Sequence, residues 1–396
     1  MPLRPCRAEI CTRALEENFR FLADLAAPHA DLLAVVKANA YGHSLALCAP
    51  ALAHAAAKWL GVTTVEEGIA ARALCPQTRI LILAGIAPGQ ATAAIQFQLT
   101  PVTWEPWQLD ELLSASRAAG AQPGSFPIHL EIDTGMSRQG ADPKQLSAIF
   151  PRFGPGSPLR LEGVMTHLFA ADEADCQCTQ AQLASLDEAM SRISAAGLFA
   201  EWLNVGQSAA LLAGQAQPIA ELAARHGMKA LLRPGLSLYG IVPRFDPAFA
   251  PQPEPAAISA ARIALQPVLT WKATVTGIRT IPAGATVGYN ATFVATEPMR
   301  LALISAGYAD GLDRLLSNRF SLLVRGQRAP LVGRVSMDQS VIDVTEIPGV
   351  EAGDEVVLIG RQNGESIAAY DHADASGTIP WEVFTRIGAR VPRIAV

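Results

Sequence analysis

Residues 32–43 read LLAVVKANAYGH. The run from Leu32 to Val36 is apolar at every position and stops at Lys37. A strand without a polar face is covered on both sides, as in a parallel sheet. Working outward, comparable runs occur near 59–62, 80–83, 100–103, 127–132, 160–166, 201–205 and 229–232. Between them, Ala-, Leu- and Glu-rich stretches at 44–57, 64–74, 88–96, 105–119, 142–150, 176–196 and 207–213 carry helical spacing, and another at 14–26 precedes the first run. Eight strands alternating with helices predict an α/β fold, a (β/α)8 TIM-type barrel over residues 12–242. A doubly wound open sheet is the alternative, because the eighth run is weak.

Residues 243–257, PRFDPAFAPQPEPAA, lack helical period and read as a linker. From 258 to 396 the texture changes to short β-rich stretches broken by Gly, Pro and Asp, which predicts an all-β domain. Residues 1–11 stand as a candidate partner strand for it. Half of the chain is apolar, 17% is charged and the net charge is −5. No Lys/Arg-rich run points to nucleic acid, and no apolar stretch reaches the ~20 residues of a membrane span. The N-terminus has no apolar core after its basic residues, so it does not read as a secretory signal. Six cysteines, at 6, 11, 48, 75, 176 and 178, are scattered without zinc-type spacing. A cytoplasmic chain with reduced thiols and no metal is expected.

Barrel enzymes keep their chemistry at the C-terminal ends of the strands. Lys37 stands at such an end, where desolvation lowers an ammonium's pKa and a neutral amine can form a Schiff base. Taken alone, Lys37 reads more readily as a lysine that snorkels to solvent. Its counterparts at other strand ends shift that balance. RPGLSLYG at 233–240 breaks the chain where barrels often bind phosphate. LEIDTGMSRQG at 130–140 offers Glu131, Asp133 and Arg138, and an Arg suits an anion held by paired hydrogen bonds. His167 follows the sixth run, and Ser208 opens the helix at 207–213 as a cap or a phosphate ligand. An amine, a phosphate cradle, an Arg and a His together point to pyridoxal 5'-phosphate.

AVVKANAYGH strongly resembles the cofactor-lysine segment of the alanine racemase family. So do DTGMSR, RPGLSLYG, VGYN at 287–290, ISAGYADG at 304–311, GRVSMDQ at 333–339 and WEVFTRIGARVPRI at the end, in the family's order from residue 34 to 394. The resemblance implies an isomerase that interconverts L- and D-alanine, built as a (β/α)8 barrel followed by a β domain in a head-to-tail homodimer. It implies that Lys37 carries pyridoxal phosphate and is one base. Tyr289, supplied by the partner subunit, would be the other, with His167 as its hydrogen-bond neighbour. Tyr41, Ser208, Gly235 and Leu236 match the phosphate ligands, and Arg233 matches the residue facing the pyridine nitrogen. Arg138 matches the residue touching the cofactor's phenolic oxygen and the substrate carboxylate. Met337 and Asp338 match substrate-side residues reaching across the dimer.

The chemistry agrees with that assignment. Racemisation needs a base on each face of the α-carbon. An amine and a phenol, with reference pKa values of ~10.4 and ~10, must both be lowered to act near neutrality. Read alone, Tyr289 is a packing residue and Met337 a core filler. Three positions depart from the family pattern: Glu131 replaces a lysine that is often carbamylated, Gln207 replaces an Asn, and Trp381 replaces a phosphate-binding Tyr. Glu131 is expected to supply its charge directly to Arg138. Trp381 is expected either to narrow the pocket in favour of alanine or to pack away from it. A serine or broader-specificity racemase is the alternative function. A related decarboxylase is disfavoured by Arg233, and a non-catalytic pyridoxal-phosphate carrier by the β domain.

Overall fold

The computed structural model describes residues 4–172, 177–245 and 255–396. The chain divides into two compact units. One holds Arg13–Ala40 and Cys48–Gln266, the other the residues up to Thr12, Tyr41–Leu47 and Pro267–Val396.

Strand β1 (Arg7–Ile10) belongs to the second unit. The first unit is a closed parallel barrel of β2 (Ala30–Val35), β3 (Trp59–Val62), β4 (Arg79–Ile82), β5 (Thr100–Thr103), β6 (Phe126–Glu131), β7 (Leu159–Met165), β8 (Trp202–Gln207) and β9 (Lys229–Arg233). β9 pairs back onto β2, with Ala230 opposite Ala30, so the open sheet is excluded. Leu33, Leu60, Leu81, Leu130, Val164, Leu203 and Leu231 are fully buried. Truncating any of them to Ala costs about 2–5 kcal/mol, because the closed barrel cannot collapse into the void.

The first helix, Thr12–Ala26, buries Leu15, Phe19, Leu22 and Ala26 at helical spacing and stops short of Pro28. Two connections differ from expectation. The 142–150 stretch forms a 3₁₀ segment, Pro143–Ala148, followed by another at Phe150–Phe153; Pro151, without an N–H, cannot continue an α-helical ladder from the first. After Ser208–Leu212, Gly214 at φ 77° ends the turn, and a second helix, Ala216–Arg225, buries Ala216, Ile219, Leu222 and Ala223. Pro218 in its first turn masks that period in the sequence.

The second unit is a sheet built on β10 (Leu269–Ile281). One half of β10 pairs antiparallel with β1 and with Glu355–Gln362; the other half pairs with Met299–Ile304. β1 also pairs in parallel with Arg393–Ala395. Residues 246–254 of the stretch read as a linker lie outside the described residues. A helix, Ala256–Ala264, occupies the end of that stretch and the start of 258–396, with Ile258 and Ala261 buried, and the first strand after it begins at Leu269. Among the described residues no helix is long and apolar enough to cross a membrane. No group of three or more His, Cys, Asp or Glu among them could hold a metal ion. Cys6, Cys11 and Cys75 carry no disulfide; Cys176 lies outside the described residues.

Candidate active site

Lys37 follows the end of β2, and the backbone after it turns left-handed: φ/ψ are 52/50° at Ala38, 54/48° at Asn39 and 56/51° at Ala40. That conformation costs L-residues about 1–2 kcal/mol each, so something must hold it. Glu67 does. Its Oε1 accepts from the Ala38 N–H at 2.7 Å and its Oε2 from the Thr63 N–H at 2.8 Å. Thr64 caps the helix Val65–Leu74 by accepting from Glu67 N–H at 3.3 Å, which aims the Glu67 side chain at the turn. Lys37 is half-buried and forms no salt bridge among the described residues. Burial, then the charges of Arg138 and Arg233, push its ammonium below the usual lysine range, against Glu67.

Arg233, the last residue of β9, is 4% exposed. Nη1 donates to Asn204 O at 2.6 Å and Asn204 Oδ1 at 2.7 Å; Nη2 donates to Thr166 O at 2.8 Å and lies 3.1 Å from His167 Nδ1. A guanidinium only donates, so His167 Nδ1 is an acceptor and the ring proton is assigned to Nε2. Burial and the charges of Arg233, Arg138 and Lys37 push His167 down to about 3, leaving it neutral. Arg233 Nε–H has no acceptor among the described residues. Burial lowers Arg233 to about 10, with Glu131 opposing.

Ser208 is not the cap of its helix. Gln207 holds that position, and the Ser208 hydroxyl turns to the loop after β9 instead. Its Oγ accepts from Gly235 N–H at 3.0 Å and Ser237 N–H at 3.2 Å. Leu236, buried, starts the 3₁₀ turn Leu236–Tyr239, so its N–H has no intrahelical partner. The Tyr239 hydroxyl donates to Val35 O at 3.0 Å, and Val35 N–H to Pro234 O at 3.1 Å. These bonds tie the Gly235 loop to the strand end that presents Lys37.

Arg138 is exposed on the loop after β6. Asp133 does not pair with it: its Oδ1 accepts from the Gly135 and Ser137 N–H groups at 2.9 and 3.1 Å. Glu131 ends β6 at 2% exposure, and here the expected direct bond to Arg138 is corrected. Its Oε2 accepts from Gln139 Nε2 at 2.5 Å, and Gln139 Nε2 also donates to Leu83 O at 3.0 Å. Arg138 makes no hydrogen bond to Glu131 and acts on it only through its charge. Burial raises the Glu131 carboxyl, while the Gln139 hydrogen bond and the charges of Arg233 and Arg138 oppose.

The remaining expected residues lie in the second unit. Tyr41 is buried, which pushes its phenol above the usual range and keeps it neutral. A side chain at Gly42 would run into the Phe384 carbonyl. Arg393 Nε donates to Gly42 O at 2.9 Å, and the His43 ring meets Phe384 edge-on at 4.8 Å. Residues 41–43 thus lie against the helix Pro380–Arg386, which carries the half-buried Trp381. Tyr289 is 68% and Met337 53% exposed, so neither is core packing. Side chains at Gly333 and Gly307 would strike Val287 O and Met337 O respectively, so VGYN, ISAGYADG and GRVSMDQ interlock. Asp338 Oδ1 accepts from Arg390 Nη1 at 2.6 Å. The first unit therefore brings together Lys37, Arg138, His167, Ser208, Arg233, Gly235 and Leu236. Sequence reasoning misses Glu67, Gln139, Thr166 and Asn204; for Thr166, position just past the end of β7 was the available signal.

Two family profiles match in tandem: "Alanine racemase, N-terminal domain" over residues 10–243 and "Alanine racemase, C-terminal domain" over 268–395. An alanine racemase of Halothermothrix orenii is 34% identical over 98% of this chain and 96% of its own. One of Nostoc sp. is 37% identical over 98% and 95%. Among solved structures, alanine racemase from Streptomyces lavendulae has a TM-score of 0.87 at 34% identity, covering 100% of this chain and 98% of that one. The Bartonella henselae alanine racemase, solved with covalently bound pyridoxal phosphate, has a TM-score of 0.82 at 29% identity over 99% of each chain. On tandem domain matches and full-length similarity, the chain belongs to the alanine racemase family.

Proposed function

We propose that this chain interconverts L-alanine and D-alanine, with pyridoxal phosphate joined to Lys37. One observation carries the reading: a half-buried lysine without a salt bridge, beside a buried arginine that keeps one N–H to spare. The donors fit the group. An amine pushed toward neutrality can add to an aldehyde. Arg233 Nε–H can donate to a ring nitrogen and, being unable to accept a proton, leaves that nitrogen unprotonated. The Ser208 hydroxyl, the Leu236 N–H and Tyr41 would hold the phosphate, with the Gly235 N–H shared between it and Ser208 Oγ. Pyridoxal phosphate, when bound, acidifies the α-hydrogen of the amino acid joined to it. Lys37 Nζ then takes or returns the proton on one face. Tyr289 of the partner subunit serves the other face, with the His167 Nε2–H directed to its oxygen. Arg138 engages the substrate carboxylate and the cofactor's phenolic oxygen. Met337 and Asp338 line the substrate side from across the dimer, and Trp381 narrows the pocket. The exposure of Tyr289 and Met337 supports a homodimer with shared sites, and we place it in the cytoplasm.

The test is racemisation of a panel of amino acids by the purified protein, started from either enantiomer. Alanine should give the highest kcat/KM, serine a lower one, and sedimentation should show a dimer. Turnover of no amino acid would overturn the reading.

A further inference from the structure

Gln182 lies on the helix Gln177–Ala195 between β7 and β8 and is 1% exposed. A buried amide must place both its donors and its acceptor. Gln182 Nε2 donates to Thr134 Oγ1 at 2.9 Å and to His167 O at 2.9 Å, and its Oε1 accepts from Phe169 N–H at 3.1 Å. A flipped amide would face carbonyl with carbonyl and N–H with N–H, so the neighbours decide its orientation.

The hydroxyls beyond it are also ordered. Thr166 Oγ1 donates its one hydrogen to Ile132 O at 2.9 Å. At the 2.7 Å contact between Thr134 Oγ1 and Thr166 Oγ1, Thr134 must therefore donate. A one-way chain results: Gln182 N–H, Thr134 O–H, Thr166 O–H, Ile132 C=O. It joins the loop that bears Arg138 to the segment that bears His167. The same Thr166 gives its carbonyl to Arg233 at 2.8 Å. Arg138 is exposed and makes no hydrogen bond among the described residues, so only its loop sets its place. Gln139 fastens one side of that loop to Glu131, and Gln182 fastens the other through Thr134.

We propose that Gln182 is a positioning residue that holds the Arg138 loop in register with His167 through Thr134 and Thr166. The inference builds on the proposed racemase function, since it gives Arg138 a substrate to hold.

Three variants test it. Gln182→Met keeps length and packing but loses three bonds; Thr134→Val keeps shape but loses the hydroxyl; Thr134→Ser keeps the hydroxyl. Gln182→Met and Thr134→Val should each raise KM for alanine about ten-fold with a smaller change in kcat, since a small displacement of a binding group is costly. Thr134→Ser should stay within about two-fold of wild type, and the double variant should be no worse than the worse single one, because both act through one chain. Hydrogen exchange of the 133–140 amides should quicken in Gln182→Met and Thr134→Val but not in Thr134→Ser. Unchanged exchange and KM in Gln182→Met would overturn the proposal. Should that variant fail to fold, equal KM and equal exchange in Thr134→Val and Thr134→Ser would do so. Should wild type racemise nothing, the function fails while the exchange comparison still decides whether Gln182 holds the Arg138 loop.

Discussion

Two histidines of the barrel, one half-buried past a strand end and one buried inside a strand, sit in opposite electrostatic settings. His167, just past β7, has Arg233 against it and feels Arg138 and Lys37. His129, inside β6 and fully buried, has Glu162 Oε2 at 3.7 Å. Glu162, itself 1% exposed, also pairs with Arg79 and, at 2.7 Å, with Arg160. The Arg79 guanidinium stacks 3.7 Å over the Trp59 ring at the start of β3. Toward the strand beginnings each cation has a protein acceptor, so the charge there serves the fold. At the strand ends Lys37 and Arg138 form no hydrogen bond or ion pair among the described residues, so their charge does not serve the fold. The difference separates a structural ion cluster from a binding site on one scaffold.

The largest expected effect breaks the strand-end cluster. Lys37→Ala should lower racemisation by about 10³-fold or more, since it removes a base and the covalent attachment. Borohydride reduction with pyridoxal phosphate should label the wild-type protein at Lys37 and leave the variant unlabelled, and a label on another lysine of the wild type would refute the assignment.

Next, the two buried glutamates should answer the same substitution with opposite signs. Burial would raise Glu162, but His129, Arg79 and Arg160 hold it down to about 2, whereas burial raises Glu131. Glu162→Gln leaves partly exposed arginines without their counter-charge and should cost about 1–3 kcal/mol in urea unfolding at pH 7. Glu131→Gln removes a poorly solvated charge and should be neutral or stabilising, while KM for alanine rises about three-fold or more through the loss of an anion near Arg138. Wild-type activity should not depend on bicarbonate. Equal destabilisation by both substitutions would erase the distinction between the two ends.

The pH dependence is a smaller effect of the same kind. His167 titrates near 6.5 when unfolded and at about 3 when folded. Between those values the unfolded chain binds the extra proton, so stability falls as pH falls, by about 1.4 kcal/mol per pH unit for that group. His167→Asn should remove this increment from the slope measured between pH 6.5 and 5. Glu162 acts lower, its contribution being lost as pH falls from 4.5 to about 2.

The smallest effect concerns the left-handed turn. Ala38→Gly should stabilise the protein by about 1 kcal/mol, because glycine adopts that φ without penalty. The same change at Ala189, buried in a regular helix, should destabilise it. A thermal melt of both variants checks the sign.

The barrel strands are legible in the sequence because burial on both faces makes their apolar residues run together instead of alternating with polar ones; the strands near 59–62 and 100–103 begin and end as read. Lys37, Arg138, His167 and Arg233 are legible as ends of such strands. Tyr289 and Met337 are not, since an exposed Tyr after Gly has no pattern of its own, and only the resemblance raises them. Glu67, Gln182 and Asn204 are illegible for another reason. Their partners, Ala38, Thr134 and Arg233, are distant in sequence, and closure of the barrel is what makes them neighbours.

The chain leaves the first unit at Tyr41 and returns at Cys48, and Gly42 packs against Phe384 and Arg393. Arg393 stands 351 residues beyond Gly42, so this contact closes only over a very long loop and belongs among the slow, non-local events of folding. The segment after the Lys37 turn therefore takes its shape from the second unit and not from the strand that precedes it.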